Sequence, residues 1–284
     1  MPSDATGGAS GILLGLASAA SWGAGDFSGG LAARRGSAFG VVLVSQAIGL
    51  LLLIGLALLL AEAVPSPADL LWGGAAGLTG GLGLVALYQG LATGRMGVVA
   101  PVAAVVSAIV PVLYGLWAEG LPAVPQMLGF ALALLAVWLV SRTGDGGRTQ
   151  LVDLILPTLA GLGFGVFLIL IGRVSTGGVL WPLAAARMAS IPTLLLIATL
   201  TRQRVAQGTR NLPLVTLVGM LDSSGNAFYA LAAQAGRLDV AAVLSSLYPA
   251  GTVLLARLLL KEPVSHPQWL GVAAALVAVV LIAS

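Results

Sequence analysis

The sequence predicts an all-α integral membrane protein of ten transmembrane helices arranged as two inverted five-helix repeats. Three observations carry this reading. The 284 residues are 58% hydrophobic and only 8% charged, with a mean hydropathy of +1.05, far from the roughly 25% charged residues of soluble chains. Apolar runs of about 20 residues, enough to cross a ~30 Å hydrocarbon core as helix, recur ten times. Finally, residues 86–140 echo 228–282 at an offset of 142, half the chain, with 17 of 55 positions identical and no gap. Where Ala, Leu, Val and Gly dominate, apolar identities are cheap. The weight falls on Gly94-Arg95 against Gly236-Arg237 and Pro125-Gln126 against Pro267-Gln268. The same offset lays Trp22-Gly23 on Phe164-Gly165.

The spans follow from the punctuation between them. The first, 10–33, stops at Arg34-Arg35-Gly36; the second, 38–61, at Pro65-Ser66-Pro67; the third, 68–92, at Gly94-Arg95. The fourth, 98–117, meets Glu119-Gly120-Leu121-Pro122, and the fifth, 123–141, runs into Gly144-Asp145-Gly146-Gly147. The second half repeats the scheme with 152–172, 178–200, 212–234, 240–260 and 266–283, interrupted by the polar stretch 201–211 and by Glu262-Pro263. Residues 1–141 are thus the first repeat, 142–151 a linker and 152–284 the second repeat. Residues 1–9 are short and polar, which predicts no cleaved signal segment.

Five spans per half force the second half to enter the membrane from the opposite side, which makes the repeat inverted. One side then receives Arg34, Arg35, Arg95, Arg142, Arg148, Arg202, Arg204, Arg210, Arg257 and Lys261, and the other only Arg173 and Arg237. This bias of ten to two places the first side in the cytoplasm and both termini outside. The basic residues come one to three at a time in short gaps, a topology signal rather than a nucleic-acid surface. Glycine, at 39 residues, recurs every fourth position at Gly73, Gly77 and Gly81, a spacing that lets apolar helices pack closely in lipid.

Three charges fall deep inside spans, away from their ends, where each costs on the order of 2.5–3.5 kcal/mol on insertion scales. They are Asp26, Arg187 and Asp222. Asp222 shares a helical stripe with Asn226 and Tyr229, and Asp26 shares one with Trp22. One reading makes these charges a structural ion pair that fixes helix register, with Arg187 the structural charge. The other, favoured for the two carboxylates, makes them line a cavity and contact substrate or a proton. Ser107 and Tyr114 on the fourth span, Ser245 and Tyr248 on the ninth, and Tyr88 on the third add stripes with one apolar and one polar side. The candidate substrate-binding set is Trp22, Asp26, Tyr88, Ser107, Tyr114, Phe164, Asp222, Asn226, Tyr229, Ser245 and Tyr248. The absence of cysteine excludes disulfides and thiolate metal sites. The single histidine, His266, cannot build a common zinc site, and no nucleophile lies beside a base, so neither cofactor, metal nor enzyme activity is expected.

The opening Ala20-Ser21-Trp22-Gly23, and the two half-ends Glu119…Pro125-Gln126-Met127-Leu128-Gly129 and Lys261-Glu262-Pro263…Pro267-Gln268-Trp269-Leu270-Gly271, make the chain resemble the EamA-like family of the drug/metabolite transporter superfamily over its whole length. The resemblance implies a ten-helix carrier with a central cavity built by the first, third, fourth, sixth, eighth and ninth spans. It implies export of small metabolites such as amino acids, aromatic ones in some relatives. It also implies cytoplasmic termini, opposite to the basic-residue count. The expected function is therefore a secondary transporter of the cell inner membrane, working by alternating access as a monomer or weak homodimer, with a small-molecule substrate and the bilayer as partners. The alternatives are a proton-coupled efflux carrier for cationic drugs and, from another class, a membrane-embedded enzyme acting on lipid-linked substrates.

Overall fold

The computed structural model describes residues 3–33, 35–93, 96–140, 152–175, 177–203, 205, 208–259 and 265–283. The linker 142–151, Arg95, Arg204, Gln207 and Lys261 lie outside the described residues, and within helices so do the side chains of Tyr88 and Gln89. Every regular element among the described residues is helical. The chain runs α1 Ser3–Ala33, α2 Ala38–Leu59, α3 Pro67–Thr93, α4 Met96–Ala118, α5 Val124–Val140, α6 Val152–Gly172, α7 Leu180–Leu200, α8 Leu212–Ala235, α9 Leu238–Ser245, α10 Tyr248–Leu259 and α11 His266–Ala283, with a 3-10 turn at Thr209–Asn211 before α8. Four segments, Ala38–Leu59, Pro67–Leu87, Leu154–Gly172 and Leu180–Leu200, are long and apolar enough to cross a membrane, and shorter apolar helices accompany them. The helices that carry Asp26 and Asp222, α1 and α8, are not in that group. Their Gly, Ser and Asp content dilutes the apolar character that the other spans have.

One sequence expectation is corrected. The single span 240–260 is two helices, α9 and α10, separated at Ser246-Leu247. The cause is Pro249, in the first turn of α10. It has no N–H for the Ser245 carbonyl, and its ring excludes that carbonyl from a continuous helix. The ladder ends in a tight turn instead, with Ser246 N donating to Ala242 O and Leu247 N to Leu244 O. Ser245 and Tyr248 therefore do not continue one stripe, and their side chains part.

The two halves interlock helix by helix. The first-half helix α1 packs along α8, and α3 packs along α6; α4 lies on α6, while α9 and α10 lie on α1; α2 faces α7, and α5 pairs with α11. The α3–α7 contact depends on glycine, because a Cβ at Gly77 would overlap the Ala186 carbonyl, and one at Gly73 the backbone of Pro182. Dispersion and backbone proximity hold such helices together where burial from lipid gains little.

Polar groups close the end of the bundle where α2 passes to α3 and α6 to α7. The Glu62 carboxylate accepts from Val179 N at 3.2 Å, Leu180 N at 2.9 Å and Trp181 N at 3.0 Å. It thereby serves three of the otherwise orphan donors at the start of α7, next to Gly178, whose φ of +150° suits glycine. The Asp69 carboxylate accepts from Ser175 N and Ser175 Oγ, both at 2.8 Å. Arg237, between α8 and α9, donates to the Gly120 carbonyl at 2.9 Å and to the Asp239 carboxylate at 2.8 Å. Each of these networks includes a bond from one half to the other.

Candidate functional site

Between the halves lies a cavity lined by α1, α2, α3, α4, α6, α7, α8 and α10. Its floor is polar. Arg187, in the middle of α7, pairs with the Asp222 carboxylate of α8 and also donates to Gln46 Oε1 of α2. Asn226 Nδ2, one turn beyond Asp222, donates to the same carboxylate at 3.3 Å, and Ser190 Oγ reaches Gln46 Oε1 at 3.3 Å. The pair is unequally placed: the Arg187 side chain is 8% exposed and that of Asp222 33%. The cation is thus the buried member, and the carboxylate presents its face to the cavity. Asp26 lines the same space from α1 with its side chain open to it.

The walls are apolar. Trp22 stands on α1 between Tyr229, stacked on it at 6.1 Å, and Tyr248, edge-on at 6.4 Å. Gly225 makes room for the indole, since a Cβ there would overlap it. Phe164, Phe167 and Leu168 of α6 and Leu84 and Leu87 of α3 complete the lining. A smaller pocket continues past Trp22 and Asp26 to Val42 and Val218, near the start of α2 and of α8. The cavity thus extends away from the end closed by Glu62, Asp69 and Arg237.

Of the residues expected from the sequence, Trp22, Asp26, Ser107, Phe164, Asp222, Asn226 and Tyr248 line this one cavity, together with Arg187. Three others stand outside the lining. Tyr229 is fully buried behind Trp22, with its hydroxyl donating to Leu168 O at 2.9 Å. Ser245 is buried against α1 and donates to Gly15 O at 3.4 Å. Tyr114 packs on Trp117, with the Arg173 guanidinium over its ring at 5.8 Å. The side chain of Tyr88 is outside the described residues. Asp222 was expected to face a cavity rather than pair with Arg187, and it does both. Sequence reasoning missed Gln46 and Ser190, although an amide inside the largely apolar helix Ala38–Leu59 carried the same signal as the buried charges: a polar group that needs a partner.

A chain of apolar helices folded as two interlocked sets around an internal cavity is a multi-pass membrane protein. The profile of the EamA-like transporter family matches residues 9–142 and again 153–284. The chain belongs to that family, and it is a membrane transporter. A solved structure titled only "Crystal structure of protein" superposes with a TM-score of 0.75 at 18% sequence identity, covering 96% of each chain, and so shares the fold. No curated protein matches.

Proposed function

We propose that the protein is a secondary carrier that exports small amino-bearing metabolites, amino acids foremost, by alternating access through the cavity between its halves. The single observation that carries this reading is the cavity itself: apolar walls with a polar floor in which Asp26, Asp222 and Arg187 meet inside the bundle. Ligand sites combine apolar walls with a few placed polar groups in this way, and carriers built from repeats place them at the repeat interface.

The reading includes ten spans, with α9 and α10 as one broken span, in two inverted repeats. Support comes from the helix pairing. Exchanging α1–α5 with α6–α11 turns the α1–α8 contact into α6–α3 and the α4–α6 contact into that of α9 and α10 with α1, and it returns α2–α7 and α5–α11 to themselves. Further support comes from two polar contacts at corresponding positions. Asp69, at the start of α3, holds Ser175 just past α6, while Asn211, just before α8, donates to Ala32 O at the end of α1 at 2.9 Å. In an inverted arrangement these lie at opposite membrane faces. The ten-to-two distribution of basic residues orients the carrier in the inner membrane with both termini outside. The cavity then extends toward the cytoplasm, as an exporter's loading state requires.

The test is counterflow of labelled amino acids and amines in proteoliposomes holding the purified protein. The reading predicts saturable exchange that Trp22→Ala and Asp222→Asn abolish. Failure of every compound, or wild-type exchange by Asp222→Asn, would remove it.

A further inference from the structure

We propose that Glu62 is a latch that holds the carrier with its cavity closed at the Glu62 end, and that release of Glu62, rather than of Asp69 beside it, opens the cavity to that side. This rests on the carrier reading above and adds to it the side on which the carrier rests.

The two halves start corresponding helices 142 residues apart, α2 at Ala38 and α7 at Leu180, each two residues after a glycine, Gly36 and Gly178. They cap them differently. The residue before α2 is Ser37, whose own hydroxyl accepts from Gly40 N at 3.4 Å, whereas the residue before α7 is Val179, which makes no side-chain cap. An acceptor is therefore missing at the start of α7. Glu62 supplies it from the other half, with one carboxylate across three successive N–H groups, while its own carbonyl accepts from Trp181 Nε1 at 3.0 Å. A Cβ at Gly178 would overlap that carboxylate, so the glycine lets it seat. The bonds to the carboxylate are charge-assisted, and the positive end of the helix dipole adds to them.

In an inverted repeat the opposite-facing state follows from exchanging the conformations of the halves, so closure of the far end brings position 204 to the start of α2. That position is Arg204, and a guanidinium offers no acceptor and meets the wrong end of the helix dipole. The Glu62 latch thus has no mirror image. The neighbouring contact does: Asp69 accepts from Ser175 N, and 142 residues further on Asn211 donates to Ala32 O, so this position bridges the halves at both ends of one structure. A bridge present at both ends does not depend on which end is closed. Of these two contacts, only that of Glu62 weights one facing state over the other, by the difference in bonding it makes in each.

Ser107→Cys places a lone thiol in the cavity lining, and an impermeant thiol reagent is applied to it from either side of the membrane, in cells and in inside-out vesicles. With Glu62 intact, labelling comes chiefly from one side, the side away from Glu62. Glu62→Gln should speed labelling from the other side at least about tenfold, as loss of a charge-assisted contact implies. Glu62→Asp, which keeps the charge on a side chain one methylene shorter and controls for a folding defect in the Gln variant, should move it the same way by less. Asp69→Asn should lower the melting temperature and leave the sidedness as it was. Equal labelling from both sides with Glu62 intact, unchanged sidedness in whichever Glu62 variants fold, or an equal shift in Asp69→Asn overturns the latch and leaves Glu62 a helix cap only. The expected shift in sidedness without counterflow of any compound by the wild type would instead overturn the carrier reading and leave the latch standing.

Discussion

Two arginines in this molecule hold carboxylates in opposite ways. Arg187, in the middle of α7, is itself the buried member of its pair, at 8% exposed against 33% for Asp222. Arg237, at the junction of α8 and α9, is the accessible member, at 29%, and Asp239 is fully buried beneath it. At the bundle end the carboxylate faces protein, and the guanidinium ties down the carbonyls of Glu119 and Gly120. In the centre the guanidinium faces protein, and the carboxylate looks into open space. The end cluster therefore works as a fastener, while the central one leaves its anion available.

The comparison breaks most sharply at the centre. Asp222→Asn strands a buried cation and should cost several kcal/mol, in the range of about 3–5 kcal/mol for opening a buried pair. Arg187→Met strands a half-accessible carboxylate that water in the cavity can solvate, so it should cost clearly less. The double variant should regain most of the loss. Melting temperatures of the three variants decide this, and equal losses for the two single variants would erase the asymmetry.

At the bundle end the order reverses. Arg237→Gln leaves Asp239 buried with the Val240 N–H, at 2.8 Å, as its one remaining donor among the described residues, at a cost on the order of 2 kcal/mol. Asp239→Asn leaves an accessible arginine that solvent can serve, and should cost less. Thermal unfolding again reads the difference.

A smaller effect concerns Glu119 in the same cluster. Burial pushes its carboxyl above the ordinary range, and Asp239 adds to the push, while the Leu238 N–H and Arg237 oppose it. A carboxyl that binds its proton more readily when folded lowers stability as pH rises between its unfolded and folded values. Mild acidification should therefore stabilise this cluster slightly. Glu119→Gln should be neutral or slightly stabilising at neutral pH and should remove that pH dependence, as thermal melts across pH would show.

The smallest effect is predicted for Tyr229→Phe, which deletes one buried hydrogen bond to Leu168 O. It should cost about 1 kcal/mol and leave transport intact, because the tyrosine stands behind Trp22. Loss of transport with normal stability would place it in the site after all.

Much of this arrangement is legible in the sequence because a bilayer makes polar residues conspicuous. Asp26, Asp222 and Arg187 stand out from apolar runs, and the structure brings them to one cavity. Most helix limits follow from Gly, Pro and Arg punctuation: α6 and α11 occupy 152–172 and 266–283 as expected, whereas α1 begins at Ser3 rather than at 10. Periodicity could not show which side of a stripe faces the cavity. Tyr229 and Asp222 lie on one face of α8, but the tyrosine's extra length carries its hydroxyl across to α6. Nor does periodicity survive a break in the helix. Pro249 interrupts α9 and α10, whereas Pro111 sits inside an unbroken α4, and the sequence treats the two spans alike. The Arg187–Asp222 contact joins residues on different helices, so no spacing rule could announce it.

The most direct test of the central claim, that substrate passes through this cavity, uses the absence of cysteine. Ser107→Cys places one thiol in the cavity lining of α4, and Leu113→Cys places one on an exposed apolar surface of the same helix. In proteoliposomes, a small thiol reagent should abolish counterflow of any compound the wild type carries in the first variant alone, and that compound should slow the labelling. A fully labelled Ser107→Cys protein that still exchanges at its unlabelled rate would contradict the account.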